Sequence, residues 1–250
     1  MKNNKISLII PTYKQQKTIV LNLLRIKSVM DQLRYDYEII VVIDGYLDDT
    51  HKVVKRAKIP KVHILGYKEN KGKGYAIRYG MKKAKGTILA FIDSGMDLDP
   101  NGLSMLLEHF EWYNADIIVG SKLHPVSKIS YPFVRKVMSF GYRLLVKILF
   151  GLSIRDTQVG LKFYKRKVLE DVLPRLQVNS FAFDIEILAL ANHLGYRRIY
   201  EAPVELNFTG ISSITSHNFW RTILSMLYDT FLVFYRIKFT DYYAKKKDIR

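Results

Sequence analysis

The chain has 250 residues, 40 of them Lys or Arg and 23 Asp or Glu, for a formal charge of +17 at pH 7. An apolar share of 48% with 13% aromatics excludes disorder as the main state, and the absence of cysteine excludes a disulfide framework, thiolate metal ligation and a cysteine nucleophile. The first apolar run is short and ends at Pro11, so no signal peptide is expected, and no apolar run approaches the roughly eighteen residues of a membrane span. The expected setting is therefore the cytoplasm. The charge surplus points to an anionic partner: a nucleic acid, a phosphorylated ligand or a membrane surface.

In chain order, short β-branched apolar runs alternate with longer segments of helical periodicity. Ile6–Ile10, Tyr37–Ile43, Lys61–Leu65, Thr87–Ile92 and Asp116–Val119 read as strands. Each is followed by apolar residues at three- and four-residue spacing, as in Ile19/Leu23/Leu24/Ile26 and Leu103/Leu106/Leu107/Phe110. Runs without strict polar alternation suit parallel strands covered on both faces. The alternation predicts an α/β fold: a Rossmann-like, mostly parallel sheet with helices on both faces.

Beyond residue 120 the pattern changes. Tyr131–Leu152 is a basic, apolar helix candidate carrying Arg135, Lys136, Arg143 and Lys147. A strand at Gly160–Tyr164, a helix from Phe183 to Leu194 stopped by Gly195, and a strand at Arg198–Val204 follow. In the tail, Trp220, Leu224, Leu227, Phe231, Phe234, Tyr235 and Phe239 recur at helical spacing among Arg221, Arg236 and Lys238. This predicts an amphipathic helix that either packs on the domain or lies in a membrane interface.

Ligands of open α/β sheets bind beyond the carboxyl ends of the strands. Polar clusters stand at each of these ends: Pro11-Thr12-Tyr13, then Asp44-Gly45 with Asp48 and Thr50, then Lys71-Gly72-Lys73-Gly74, then Asp93-Ser94-Gly95-Met96-Asp97-Leu98-Asp99. Asp48 also suits a helix cap, and the glycine–lysine run also suits a solvated turn. It lacks Walker spacing, and no G-x-G-x-x-G follows the first strand. The three acids between 93 and 99 repel one another unless a cation or a helix N-terminus holds them. A hard divalent ion bound together with a diphosphate satisfies that need, and capping by Asp97 or Asp99 is the competing explanation. A second group comprises Ser121-Lys122, Arg135, Asp156-Thr157-Gln158-Val159-Gly160-Leu161-Lys162 and Phe181-Ala182-Phe183-Asp184-Ile185-Glu186. Asp184 and Glu186 do not share a helix face, so at most one points into a site. The other is expected to complement the helix dipole. His124 and His217 are assigned no metal.

Taken together, SLIIPTYK, VVIDGYLDDT, KGKGYAIRYG, FIDSGMDLDP, VGSK, DTQVGLKFYKR and FAFDIEILAL resemble the family-2 inverting glycosyltransferases of the GT-A fold. The resemblance is greatest to those that load sugar onto a polyprenyl or dolichyl phosphate, the glucosyl branch ahead of the mannosyl. It implies a catalytic domain over residues 1–215 and an amphipathic membrane-interface tail over 216–250. Pro11, Thr12, Tyr13 and Asp44 would hold the nucleoside of a nucleotide-sugar, with Gly72 and Lys73 near its phosphates. Asp93 matches the first acid of the family's metal motif. Gly95 stands where the second acid is usual, and Asp97 stands where relatives carry a Gln that also reaches the metal. Asp93 and Asp97 are thus the expected ligands of Mg²⁺ or Mn²⁺.

The implied reaction joins a hexose, from UDP-glucose ahead of GDP-mannose, to a polyprenyl phosphate at the cytoplasmic membrane face. Because that acceptor is already ionised, no strong general base is needed. Lys122 and Arg135 would clamp its phosphate. A transferase acting on a glycan or wall polymer would use the same donor site without needing the basic aromatic tail. A nucleic-acid-binding protein leaves the strand-end acids unexplained, and the missing acid at position 95 keeps a non-catalytic binding protein in view. Neither the residues nor the resemblance gives an oligomeric state.

Overall fold

The computed structural model describes residues 4–127, 133–180, 182–206, 219–240 and 242–243. Strands β1 (Lys5–Thr12), β2 (Asp36–Asp44), β3 (Val62–Tyr67), β4 (Ile88–Ile92), β5 (Ile117–Ser121), β6 (Leu161–Lys165) and β7 (Ile199–Pro203) form one sheet in the order β3-β2-β1-β4-β6-β5-β7. The helices are α1 (Ile19–Met30), α2 (Thr50–Ala57), α3 (Lys73–Lys83), α4 (Gly102–Trp112), α5 (Phe133–Phe150), α6 (Arg166–Val172), α7 (Phe183–His193) and α8 (Phe219–Lys238). All predicted strands and helices within the described residues are present with shifted ends. Helix α6 is additional.

Successive strand side chains point to opposite faces, so an unbroken apolar run feeds two cores. In β1, Ile6, Leu8 and Ile10 join a core with Leu23, Ile26, Val54, Leu103 and Leu106 of α1, α2 and α4. Ile9 joins the opposite core, with Ala76 and Ile77 of α3, Val168 and Leu169 of α6 and Leu188 of α7. The expectation of helices on both faces is met.

One strand departs from parallel. β6 runs antiparallel to both neighbours, with Ile92 opposite Leu161 and Val119 opposite Lys162. β4 and β5 climb to the carboxyl rim and β6 descends from it. The segment Asp156–Gly160 therefore crosses the rim between the ends of β4 and β5.

The tail does not stand apart from the domain. Val233 and Thr230 of α8 are buried, Thr230 Oγ1 and Tyr142 Oη of α5 are 2.8 Å apart, and Ser180 Oγ donates to Asp229 at 2.6 Å. Beyond α8, Tyr243 is buried and its hydroxyl donates to Glu186 at 2.7 Å. The opposite face of α8 is open: Leu224, Tyr228, Phe231, Tyr235 and Phe239 are each 50–69% exposed. Trp220's side chain, His217 and the basic end of the chain lie outside the described residues.

A buried polar knot closes the other end of the sheet. Ser7 Oγ (2.6 Å) and the Lys85 amide (2.7 Å) donate to Glu38, and the Gly86 amide donates to Ser7 Oγ at 2.7 Å. Burial raises the Glu38 pKa, but these donors outweigh it and hold the carboxyl below the ordinary glutamate value. Its stabilising contribution is therefore complete above that ordinary value and is lost as pH falls through the depressed native one. Glu38→Ala should cost about 1–3 kcal/mol at neutral pH through unpaired buried donors. Urea titrations at several pH values should show the gap from wild type narrowing in acid.

Candidate active site on the carboxyl rim

Asp93 follows directly on β4, and two neighbours fix it. Its amide donates to the Gly160 carbonyl at 2.9 Å, and its carboxylate pairs with Lys73 Nζ at 2.7 Å. Burial lowers the Lys73 pKa, but Asp93 and, more remotely, Asp184 outweigh it and hold the ammonium above the ordinary lysine value. Lys73 is charged throughout the physiological range.

Asp97 lies four residues on, after Met96 takes a left-handed φ of 59° with its side chain buried. Burial and the Asp93 charge raise the Asp97 pKa, and Lys122 opposes them. A Cβ built on Gly95 would sit 4.0 Å from Asp97 Oδ2, with nothing nearer. The Asp97 carboxylate thus reaches the space beside the missing second acid. Asp99 does something else: its Oδ1 accepts the Asn101 amide at 2.8 Å, ahead of α4. Asp99 thus closes a turn, while α4 itself begins at the N-cap Asn101 without a side-chain cap bond; Asp93 and Asp97 are the two acids that lie in each other's field. Asp48 likewise closes a turn, accepting the Thr50 amide at 3.0 Å at the head of α2.

The residues expected around a nucleoside gather at the ends of β1 and β2. Pro11 and Thr12 end β1, and Tyr13 is exposed just beyond them. Asp44 is at the rim, but its carboxylate is occupied by the loop that follows β3. It accepts from Tyr67 Oη (2.9 Å), Asn70 Nδ2 (2.8 Å), the Lys71 amide (2.7 Å) and the Gly72 amide (3.0 Å). Asp44 therefore shapes the loop that delivers Lys73. Gly72 completes the turn with φ 95°, and a Cβ there would lie 2.6 Å from the Asn179 carbonyl. Only glycine takes both that dihedral and that contact without strain.

Across the rim, Lys122 follows β5. Its amide (3.2 Å) and ammonium (3.9 Å) both face Asp156. The Asp156 amide in turn donates to Glu201 of β7 at 2.9 Å. Arg135 is in the first turn of α5, and its side chain lies outside the described residues. Asp184 and Glu186 both lie in the first turn of α7, the placement expected of a dipole-complementing acid, and both are buried. Asp184 pairs with the fully buried Lys162 at 2.5 Å, while Glu186 accepts the amides of Gln177 (3.0 Å) and Val178 (2.8 Å) as well as Tyr243. Of these, Asp184 is the one whose charge acts on Lys73. Asn179, Glu201 and Gly160 take their roles from contacts with the backbone of distant segments, which local sequence patterns do not show. The repeated glycines at 72, 74 and 160 were the available signal of close backbone approach.

The oxygen donors suit a hard divalent cation. Two carboxylates stand within each other's field and Lys73 compensates one of them. Among the described residues no group of three His, Cys, Asp or Glu stands together as a metal site. Asp93 and Asp97 would thus supply part of a coordination shell, with water and phosphate oxygens supplying the rest, the usual arrangement for Mg²⁺. Asp44→Ala should leave the Lys71 and Gly72 amides without their acceptor, and hydrogen exchange at both should accelerate while the β1 and β4 amides stay protected.

Residues 7–173 match the family described as Glycosyl transferase family 2. The chain is 31% identical to the dolichyl-phosphate beta-glucosyltransferase of Drosophila melanogaster over 93% of its own length and 75% of the relative's. The human protein of the same name is 29% identical over 86% and 71%. Among solved structures, glucosyl-3-phosphoglycerate synthase of Mycobacterium tuberculosis with Mn²⁺, UDP and phosphoglyceric acid superposes with a TM-score of 0.69 at 16% identity, covering 95% of this chain and 79% of that one. Its complex with Mn²⁺ and UDP-glucose gives 0.68 at 18% identity, covering 92% and 79%. At such identities the likeness speaks to the fold. The chain belongs to glycosyl transferase family 2 and is a glycosyltransferase of the GT-A fold.

Proposed function

We propose that the protein transfers glucose from UDP-glucose to a dolichyl-type polyprenyl phosphate, with inversion, on the cytoplasmic face of a membrane. The observation that carries this reading is the rim itself: Asp93 paired with Lys73 at 2.7 Å, Asp97 between the fields of Asp93 and Lys122, and Lys122 braced on Asp156. Relatives named for glucose transfer to dolichyl phosphate and neighbours crystallised with Mn²⁺ and UDP-glucose support the choice of substrates.

In this reading the first cation, Lys73, faces the donor diphosphate, and Asp93 and Asp97 hold Mg²⁺ or Mn²⁺ against it. A metal bound there would neutralise charge on the departing diphosphate. Lys122, with Arg135, orients the acceptor phosphate. An acceptor oxygen attacks the anomeric carbon as its bond to the diphosphate breaks, and UDP leaves as the anion. No proton need be removed. Asp184 is engaged elsewhere, its Oδ1 accepting from the buried Lys162 ammonium at 2.5 Å.

Asp93→Asn should lower turnover roughly 10²–10³-fold, the scale of losing one preorganised charge-stabilising group, with the circular dichroism spectrum retained. Lys122→Ala should raise KM for a short polyprenyl phosphate by the equivalent of about 1.5–3 kcal/mol and leave KM for UDP-glucose nearly unchanged. Both follow from steady-state kinetics with Mg²⁺ in excess. A rise confined to the donor KM would move Lys122 to the diphosphate.

The open face of α8 supports membrane attachment. Among the described residues no helix is long and apolar enough to cross a membrane. Besides the stripe Leu224, Tyr228, Phe231, Tyr235 and Phe239, the cation Lys238 at the end of α8 is exposed, as are Leu144, Lys147 and Ile148 of α5. An aromatic face flanked by cations suits the interface of an anionic bilayer. Replacing Tyr228, Phe231, Tyr235 and Phe239 with Ser leaves the buried face of α8 intact. The variant should lose cosedimentation with phosphatidylserine vesicles, and wild-type binding should weaken as salt rises. Undiminished cosedimentation by the folded variant would refute this mode of attachment.

A further inference from the structure

Gly160 has no room for a side chain, and the atom that takes the room is a carboxylate of the site. A Cβ built on it would fall 1.9 Å from Oδ2 and 2.3 Å from Cγ of Asp93. Contacts under 3.0 Å do not occur for real Cβ atoms, so Asp93 would have to move. The same residue fixes Asp93 from the other side of the peptide, because the Gly160 carbonyl accepts the Asp93 amide at 2.9 Å. One residue thus holds both the backbone and the side chain of Asp93. The φ of Gly160 lies outside the left-handed region, so its requirement is for space and not for a special dihedral.

The rest of the segment is tied down at both ends. Asp156 is held by Glu201 and faces Lys122, and the Val159 carbonyl accepts the buried Lys162 ammonium at 2.7 Å. In the middle, Gln158 Nε2 donates to Met226 Sδ of α8 at 2.8 Å. A segment so anchored does not swing aside to accommodate a methyl group. The Asp93 carboxylate is paired with Lys73, and a carboxylate pushed off Gly160 leaves that ion pair.

From this packing we infer that Gly160 is a positioning residue: its bare α-carbon is the surface on which the Asp93 carboxylate is seated so that it faces Lys73 and the Asp97 side of the rim. The inference rests on the proposed metal role of Asp93 for its catalytic consequence, but the packing can be tested apart from that role.

The experiment compares wild type with G160A, D93N, D93G and D93G/G160A. Titration with UDP in the presence and absence of Mn²⁺ gives the functional readout, and thermal melting gives the packing readout. G160A should weaken Mn²⁺-dependent UDP binding roughly 10–100-fold, the range for residues that orient a metal ligand, with metal-free UDP binding little changed. It should melt below wild type, whereas adding G160A to D93G should leave the melting temperature where D93G has it, because the clashing side chain is gone. If G160A alone does not fold, restoration of the fold in D93G/G160A supports the inference. It is overturned if G160A binds Mn²⁺ and UDP as wild type does, if it lowers the melting temperature equally in both backgrounds, or if D93G/G160A also fails to fold. D93N separates this from the functional reading: Mn²⁺ dependence that survives D93N refutes the metal role of Asp93, while the melting comparison still decides the packing.

Discussion

Two carboxylates at the end of one strand, with one lysine paired to them, set the terms for the rest of the rim. Burial and the Asp93 charge raise the Asp97 pKa against Lys122, while the Asp93 carboxylate itself is paired with Lys73 at 2.7 Å. An excess of negative charge is stable there only if its neighbours are fixed, since a mobile lysine would leave a partly buried carboxylate uncompensated. Most of the polar contacts around the site do that fixing. Asp44 gathers four donors from the loop before Lys73, and the Asn179 carbonyl accepts the Gly74 amide at 3.0 Å on the other side. The lysine's backbone is held from both directions before its side chain makes any contact.

The carboxyl-terminal helix links this rim to the exposed aromatic face. Its inner face is core, through Thr230 and Val233, and the chain after it plugs Tyr243 against Glu186. Glu186 also accepts the amides of Gln177 and Val178, in the segment leading to Asn179. Membrane attachment and domain packing, posed as alternatives by the aromatic spacing, are therefore not exclusive. A helix with apolar residues around much of its circumference buries one stripe in the protein and leaves a second for another apolar phase. Removing the tail would expose core, so its outward role is addressed by surface substitutions alone.

Much of this was legible in the sequence because the first five strands are local signals: β-branched runs, each followed by a helical period and a polar cluster. The clusters at residues 11–13, 44, 72–73 and 93–97 fall on the predicted rim because parallel topology places every strand end there. The antiparallel β6 was not legible, since strand direction depends on the path of the connection and leaves no mark on Leu161–Lys165. With it went the contact between Gly160 and Asp93, two residues 67 positions apart whose meeting depends on that reversal. Asp44 shows the converse limit. Its position was read from the pattern, but which donors occupy its carboxylate depends on the fold of residues 67–72.

Lys162 and Asp184 show why a charge hidden below the rim belongs to the same design. A fully buried pair is rarely a net source of stability, because desolvating both ions costs about as much as their attraction returns, and apolar replacements often do as well. This pair also shares its surroundings with the rim: the Phe91 ring lies 5.1 Å from Lys162 Nζ and 5.6 Å from Lys73 Nζ. Burial leaves the Lys162 pKa below the ordinary lysine value, Asp184 offsetting it only in part, and Lys73 and Asp93 act on it with opposite signs. The four charges alternate, Asp93 to Lys73 and Asp184 to Lys162, so that each lysine has a carboxylate and each pair lies in the other's field. Removing Asp184 would leave two lysines near one aromatic ring, in each other's field, with Asp93 as the remaining acid of the set. The pair is best understood as one half of an alternating set of four charges at and below the rim, in which each lysine faces its own carboxylate.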